Sequence, residues 1–466
     1  MTRKPLVGRT IRRLRTERGM TQQALAASLG ISGSYLNLIE HDQRGVTASL
    51  LLKLASFFQV DLAALGGAEE RQTEASLREA FVDPLLGVEK VPAAEVSALV
   101  DAAPNAARAV LAIYRAFRVA REDAAGIALP AGTRMTLPTE EARDVFHARL
   151  NHFPALEAAA EAIGAEIGAI LPAEMNHAIA ERLRRTHHLR VVVRSQPEVR
   201  RYDAETRTLS LSDLLPRESR GFQMAYQLML IEAADAVEAE LAAISPSTEE
   251  AAALIRFGLL NYAAAALLMP YAEFLAAVRA LRHDVDAVAA RFGVGFEQAC
   301  HRLSTLSREG ARGIPFFFLR ADAAGNVTKR FSAAGFPFAR YGGSCPRWVP
   351  HLAFATQGRI QVQVARLPDG ATFLCFAKAL ARPAAPWPEP PEVHVVAMGC
   401  DIAHARDVVY ADGLDIERAV TEIGLSCRLC ERPNCRSRAF PPVAHRLVLD
   451  PAVKGASPFS FAASGR

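Results

Sequence analysis

The chain lacks an apolar leader, and it lacks an uninterrupted hydrophobic run of membrane-spanning length. Its first residues, MTRKPLVGRT, contain no apolar block, so no secretory signal is expected there. The most apolar stretch, Ala251 to Met269, is interrupted by Arg256 and Asn261 and stops at Pro270. That pattern points to a buried helix and no membrane partner. Cysteine is sparse, seven in 466 residues. In a leaderless chain these thiols are expected to stay reduced in the cytoplasm, where clustered cysteines more often bind metal than pair. Charge is nearly balanced, 54 Lys and Arg against 50 Asp and Glu, a net of +4. Half of the residues are hydrophobic and alanine is abundant, so a soluble globular protein is expected. The length suggests about three domains.

The small net charge is unevenly placed. Residues 1–60 hold nine Lys and Arg against three acids, a net of +6, which concentrates positive charge where a polyanion would bind. The same stretch reads as short helices. Ile11 and Leu14 give a basic first helix one apolar face. Thr21 is an N-cap for a second helix, with Gln22 and Gln23 at its start and Leu25 and Leu29 inward. Gly30 makes the turn. Ser32 caps a third helix in which Tyr35, Leu36 and Ile39 recur at helical spacing. Two more helices are expected, Thr47 to Phe58 and one after Asp61. Helix, glycine turn, helix within five helices resembles the Cro/repressor-like helix-turn-helix domain of xenobiotic-response-element type regulators. Ser34, Tyr35 and Asn37 then face base edges in a double-stranded DNA groove. Gln22, Gln23, Ser32, Arg13 and Arg44 complete the expected DNA contacts. The alternative is a small bundle with a solvated basic face.

Residues 66–129 read as a helical linker or dimerisation region: a hinge at Gly66-Gly67, then helices over Glu74–Phe81, Ala93–Ala103 and Asn105–Ala125. A second domain spans 130–310. Helices over Thr139–Asn151, Leu156–Leu171 and Glu174–His187 precede a strand hairpin, Leu189–Ser195 with Thr206–Ser212. A helix beginning near Arg220 and another over ALIRFGLLNYAAAALLMPYAEF follow. This order resembles the ImmA/IrrE metallopeptidases, whose helix after the strands carries H-E-x-x-H, two zinc-ligand histidines and a general-base glutamate. The matching positions here are Tyr226, Gln227 and Leu230. Leu cannot bind zinc and Gln cannot take a proton from water, so the resemblance implies a retained fold without catalysis.

A vacated enzyme pocket beside a DNA reader suggests a sensor. Arginines with aromatics can hold phosphates and stack an adenine. Phe146, Arg149, Arg184, Arg194, Tyr226 and Tyr262 are the candidates for an acyl-CoA site, with Met224, Met229 and Leu230 near the acyl tail. Taken singly, each arginine reads as a surface charge and each aromatic as core.

The third region, 311–445, is β-rich, with hairpin turns at AAGN and PDG, and 446–466 reads as a tail. Cys427-x2-Cys430-x4-Cys435 is a tight loop with arginines between and after its thiols. It suits zinc or an iron–sulfur cluster, with Cys400, His404 or Cys345 as a fourth ligand. The other reading is three reduced structural cysteines.

The fold class expected is multidomain and mostly α with an α+β C-terminal part. The pieces SGSYLNLIEHDQR, FHARLNHF, NYAAAALLMPYAEF, YADGLD and CRLCERPNC resemble the bacterial short-chain fatty acid regulators over nearly the whole chain. The resemblance implies a cytoplasmic transcription factor, and the paired half-sites read by helix-turn-helix proteins imply a homodimer or tetramer. It would bind a short-chain acyl-CoA, propionyl- or acetyl-CoA, and control genes for propionate or acetate use. Two rivals stay open: a phage-type repressor without a small-molecule ligand, and an active metalloprotease.

Overall fold

The computed structural model describes residues 7–41, 43–58, 60, 68–83, 91–124, 138–168, 174–338, 344–381, 387–388, 391–442, 445 and scattered positions up to 461. The first unit contains α1 (Gly8–Glu17), α2 (Gln22–Leu29), α3 (Gly33–Glu40) and α4 (Ala48–Phe58). Both expected caps form: Thr21 Oγ1 accepts from Ala24 N–H at 3.2 Å and Ser32 Oγ from Tyr35 N–H at 3.1 Å. Gly30 takes φ 69°, ψ 37°, a left-handed turn that a side chain would strain. Ile11, Leu25, Leu36, Ile39 and Leu54 are sealed in the core between the helices. The expected fifth helix after Asp61, and the hinge at Gly66-Gly67, lie outside the described residues.

A separate three-helix cluster follows: α5 (Ala68–Phe81), α6 (Ala93–Ala102) and α7 (Pro104–Ala124), closed around Leu77, Val96, Val100 and Tyr114.

The middle region begins with α8 (Pro138–Ala148), α9 (Pro154–Ile167) and α10 (Met175–His187). The strands are β1 (Arg190–Arg194), β2 (Arg200–Asp203) and β3 (Thr208–Ser212), ordered β1-β3-β2. The expected hairpin is corrected here. Leu189–Ser195 and Thr206–Ser212 pair in parallel, Val191 opposite Leu209, and the hairpin is made by β2 with β3. The segment between the two expected strands is long enough to fold back as a strand of its own. Its turn is fixed by Asp203, whose Oδ1 accepts from the N–H groups of Glu205 and Thr206 at 3.0 and 3.2 Å. Six helices complete the region: α11 (Arg217–Glu232), α12 (Ala234–Ile244), α13 (Glu249–Leu268), α14 (Tyr271–Ala280), α15 (Val285–Phe292) and α16 (Phe296–Leu303). Along α13 every residue from Tyr262 to Leu268 is buried. Burial inside the fold accounts for the apolar character of this helix.

The last region is one six-stranded sheet with a short helix, α17 (Val349–Ala353). Its strands are β4 (Phe316–Asp322), β5 (Val327–Ser332), β6 (Ile360–Arg366), β7 (Thr372–Ala381), β8 (Val393–Asp401) and β9 (Val420–Glu422), ordered β5-β4-β8-β7-β6-β9. All pairs are antiparallel except β6 with β9. Phe316, Phe318, Phe376 and Met398 face the helices of the middle region, while Phe317, Phe373, Ala397 and Cys375 face Trp348 and Phe336. Burial of both faces explains why runs such as FFFL replace the usual alternation of apolar and polar residues. The hydrophobic cluster runs without a break from Phe153, the N-cap of α9, to Ala411 beyond the sheet. The helices and the sheet therefore share one core.

Candidate functional site

The reading head is wired internally. Arg15 of α1 grips the buried Glu40 of α3, Nε to Oε1 at 2.7 Å and Nη2 to Oε2 at 3.0 Å. Gln22 Nε2 donates to the same Glu40 Oε2 at 3.0 Å and to Asn37 Oδ1 at 3.2 Å. This holds the Asn37 side chain by its oxygen and leaves its amide N–H groups for an acceptor on a base edge. Gln23, Ser32, Ser34, Asn37 and Arg44 are exposed, Arg13, Gln22 and Tyr35 partly so. The Arg44 guanidinium lies 5.4 Å from the centre of the Tyr35 ring. Ser32 already accepts a hydrogen bond as a helix cap, which leaves its proton and one lone pair for DNA.

In the middle region, the positions that resemble a zinc helix contain Tyr226, Gln227 and Leu230 on α11. Against them stands Arg200 of β2. Its guanidinium carbon is 4.1 Å from the Tyr226 ring centre, and its Nη1 donates to Gln227 Oε1 at 3.1 Å. Among the described residues no carboxylate is one of its partners. Burial pulls its pKa down against the opposing influence of Tyr226, but a guanidinium stays charged at any physiological pH. A fixed cation thus occupies the neighbourhood where a metallopeptidase would hold its metal. Phe257 of α13 packs on Tyr226 at 5.8 Å yet is 58% exposed, and Leu230 and Leu254 are also exposed.

The other expected acyl-CoA residues divide. Phe146 packs edge-on against Phe153 at 5.2 Å. It also lies over Gly258, where an added Cβ would sit 2.5 Å from its ring. Arg149 is next to Phe153, 5.5 Å from its ring centre, and is ion-paired with Glu240 of α12. Arg184 is tied to Glu181 in its own helix at 2.6 Å and is exposed. Arg194 is exposed at the end of β1. Met224 and Met229 are core residues. Tyr262 does not face a cleft. It is 1% exposed, and its hydroxyl is engaged by Glu157, His152 and the Phe153 N–H. Glu157 in turn meets the buried Arg302 at 2.6 and 2.9 Å, so Tyr262 belongs to a sealed polar network between α9, α13 and α16.

In the Cys loop the arginines have different partners: Arg432 pairs with Glu422 and donates to the Ile423 and Arg366 carbonyls, and Arg428 lies over the Phe440 ring. Arg438 is buried and donates to the carbonyls of Cys427, Cys430 and Arg432 at 3.0, 2.9 and 2.7 Å. Among the described residues its Nε has no partner, and no carboxylate offsets its charge. Gly424 lies so close that a Cβ there would be 2.9 Å from Cys430 Sγ. Burial raises the Cys345 thiol pKa, and Cys430 and Cys427 are near enough to add to the shift. Cys400 is elsewhere, sealed opposite Phe316 and Leu374 on the helix-facing side of the sheet. The nearest fourth thiol is therefore Cys345, and Cys400 is removed from the expected set. The thiols have the donor chemistry of a metal site, but their arrangement is not that of one. Among the described residues no three His, Cys, Asp or Glu side chains are gathered closely enough to coordinate one.

Three family models match in sequence: a helix-turn-helix over residues 11–65, an IrrE N-terminal-like domain over 194–304, and the C-terminal domain of the short-chain fatty acyl coenzyme A regulators over 305–459. The chain is 38% identical to a propionyl-CoA carboxylase regulator of Cereibacter sphaeroides, over 99% of this chain and 100% of that one. It is 39% identical to the HTH-type transcriptional regulator PrpR of Mycobacterium tuberculosis, over 97% of this chain and 95% of the relative. It is 38% identical to RamB of the same organism, over 98% of each. This chain belongs to the short-chain fatty acyl coenzyme A regulator family. A solved Mycobacterium tuberculosis transcriptional regulator superposes with a TM-score of 0.66 at 40% identity, covering 70% of this chain and all of that one.

As a short-chain fatty acyl coenzyme A regulator, the protein is a helix-turn-helix transcription factor. Reasoning from sequence missed three of its organising residues: Glu40, Arg200 and Arg438. Glu40 carried a signal, since an acid inside an otherwise basic reading head needs a cationic partner. Arg200 and Arg438 carried none, because each sits in an arginine-rich stretch and only the fold sets it apart.

Proposed function

We propose that this regulator binds operator DNA as a homodimer or tetramer in the cytoplasm, under control of a short-chain acyl-CoA bound in the middle region, propionyl- or acetyl-CoA. It controls genes of propionate or acetate use. The observation carrying this reading is the zinc helix that has exchanged its ligands for Tyr226, Gln227 and Leu230, in a chain similar from end to end to a propionyl-CoA carboxylase regulator. The reading makes the protein a sensor and not an enzyme, because nothing at positions 227 and 230 can activate water. Arg13, Gln23, Ser34, Tyr35, Asn37 and Arg44 supply the DNA face. Phe146, Arg149, Tyr226 and Leu230 lie nearest the effector, and Arg184 and Arg194 give the approach its charge.

Cys427, Cys430 and Cys435, with Cys345, would hold zinc or an iron–sulfur cluster. Such a group would cross-link the loop, and Arg438 would keep the backbone carbonyls turned away from the thiols. The decisive experiment is calorimetric titration of the full chain with CoA, acetyl-CoA, propionyl-CoA and ATP. Heat with the two thioesters in preference to ATP is expected. No heat with either thioester would return the protein to a repressor without a small-molecule ligand.

A further inference from the structure

The Arg200 guanidinium rests on Tyr226 and Gln227, the positions that in a metallopeptidase hold a histidine and the general base. A zinc ion there would polarise a carbonyl oxygen and activate a water against it. A guanidinium can do the first and not the second. It offers five N–H donors and a permanent charge, but it coordinates no water and gives up no proton. One N–H is spent on Gln227 and the Tyr226 hydroxyl engages the group as well, while among the described residues no carboxylate claims the remaining donors. Around it the surface is apolar and open: Phe257 on Tyr226, with Leu230 one turn after Tyr226 on α11 and Leu254 one turn before Phe257 on α13. A half-buried cation without a counterion beside an exposed apolar strip suits a short acyl chain carrying a polar oxygen. Of the arginines weighed for this region, Arg149 and Arg184 are already neutralised by Glu240 and Glu181.

We infer that Arg200 is the residue that recognises the acyl group itself. It donates to the thioester carbonyl oxygen, while Tyr226, Leu230, Leu254 and Phe257 receive the acyl chain. The inference rests on the acyl-CoA reading above and names the contact within it. It also gives the lost zinc a physical purpose. A metal-bound hydroxide beside a thioester would hydrolyse the signal, whereas a guanidinium holds the same oxygen and leaves the thioester intact. Burial of Arg200 fits this role, because its desolvated charge favours an acceptor over bulk water.

The test compares propionyl-CoA with S-propyl-CoA, the thioether that keeps the chain and the nucleotide but has no carbonyl. Both are titrated into the full chain and into Arg200→Gln and Arg200→Lys. The wild-type protein is expected to prefer the thioester by about ten- to a hundredfold, the worth of one charge-assisted bond. Arg200→Gln is expected to erase that preference with little change for the thioether, and Arg200→Lys to keep part of it. Should Arg200→Gln not fold, the wild-type preference and the Lys variant still decide. Equal loss of both ligands would move Arg200 to the phosphates and overturn the carbonyl contact. Equal wild-type affinity for the two ligands, or an undiminished preference in Arg200→Gln, would overturn it as well. A wild-type protein that binds neither ligand would overturn the acyl-CoA reading and this inference with it.

Discussion

Arg302 and Glu157 face each other in the interior with side chains 0% and 2% exposed, Nη1 to Oε1 at 2.6 Å. Burial alone would favour a neutral Glu157. The Arg302 guanidinium and the Tyr262 hydroxyl instead hold its carboxyl below the usual range. Removing one partner leaves a buried, unpaired charge. Arg302→Met and Glu157→Gln should each cost about 3–5 kcal/mol in urea unfolding, and the double replacement Arg302→Met with Glu157→Met much less than their sum. Tyr262→Phe should cost about 1.5–3 kcal/mol and leave acyl-CoA affinity unchanged. A loss of affinity in Tyr262→Phe at unchanged stability would put this hydroxyl back among the ligand contacts.

The Gln22–Asn37 hydrogen bond predicts an order of effects on DNA. Asn37→Ala should weaken operator binding by about 1–3 kcal/mol and random DNA far less. Gln22→Ala should reproduce part of that loss, because it frees Asn37 from its fixed orientation. Arg13→Ala should weaken both DNAs and lower the salt slope by about one. Mobility-shift titrations at several salt concentrations measure all three. Equal loss on both DNAs for Asn37→Ala would remove it from base reading.

The Cys loop is tested by metal analysis. Zinc or iron is expected in roughly stoichiometric amount, with loss of metal and a lower melting temperature in Cys430→Ser and Cys345→Ser. Cys400→Ser should keep its metal, since its thiol is in the other layer of the core. Metal lost from Cys400→Ser but retained in Cys345→Ser would reverse the choice of fourth ligand. A metal-free wild-type protein would leave three structural cysteines.

Glu297 predicts a window of acid sensitivity. Burial opposes its ionisation, yet His394 and Arg320, 3.0 and 3.1 Å away, hold its pKa down to about 2. A carboxyl lowered by folding stabilises the protein fully above its unfolded value of about 4.3, and that stabilisation drains away as pH falls toward about 2. Melting temperatures taken at pH 5, 4 and 3 should therefore drop more steeply in the wild type than in Glu297→Gln. Parallel curves would mean that the pair contributes nothing to stability.

The sequence by itself determined what is local. Helix periods, the caps at Thr21 and Ser32, and the left-handed turn at Gly30 depend on neighbours a few residues away, so they could be read and they formed. The lost metal ligands at Tyr226, Gln227 and Leu230 were equally legible, because spacing on one helix fixes their common face. Only tertiary structure set the arginines apart. Arg149, Arg184, Arg194 and Arg200 look alike in sequence. The fold gives two of them carboxylates and leaves one exposed at a strand end. It sets Arg200 against Tyr226 with no counterion among the described residues, a relation across 26 residues that no local pattern encodes. The same holds for Tyr262, whose place on an apolar helix allowed either a cleft or the core. Glu157 and Arg302, 145 residues apart, brought it into the core, because a buried ion pair needs every remaining donor it can reach.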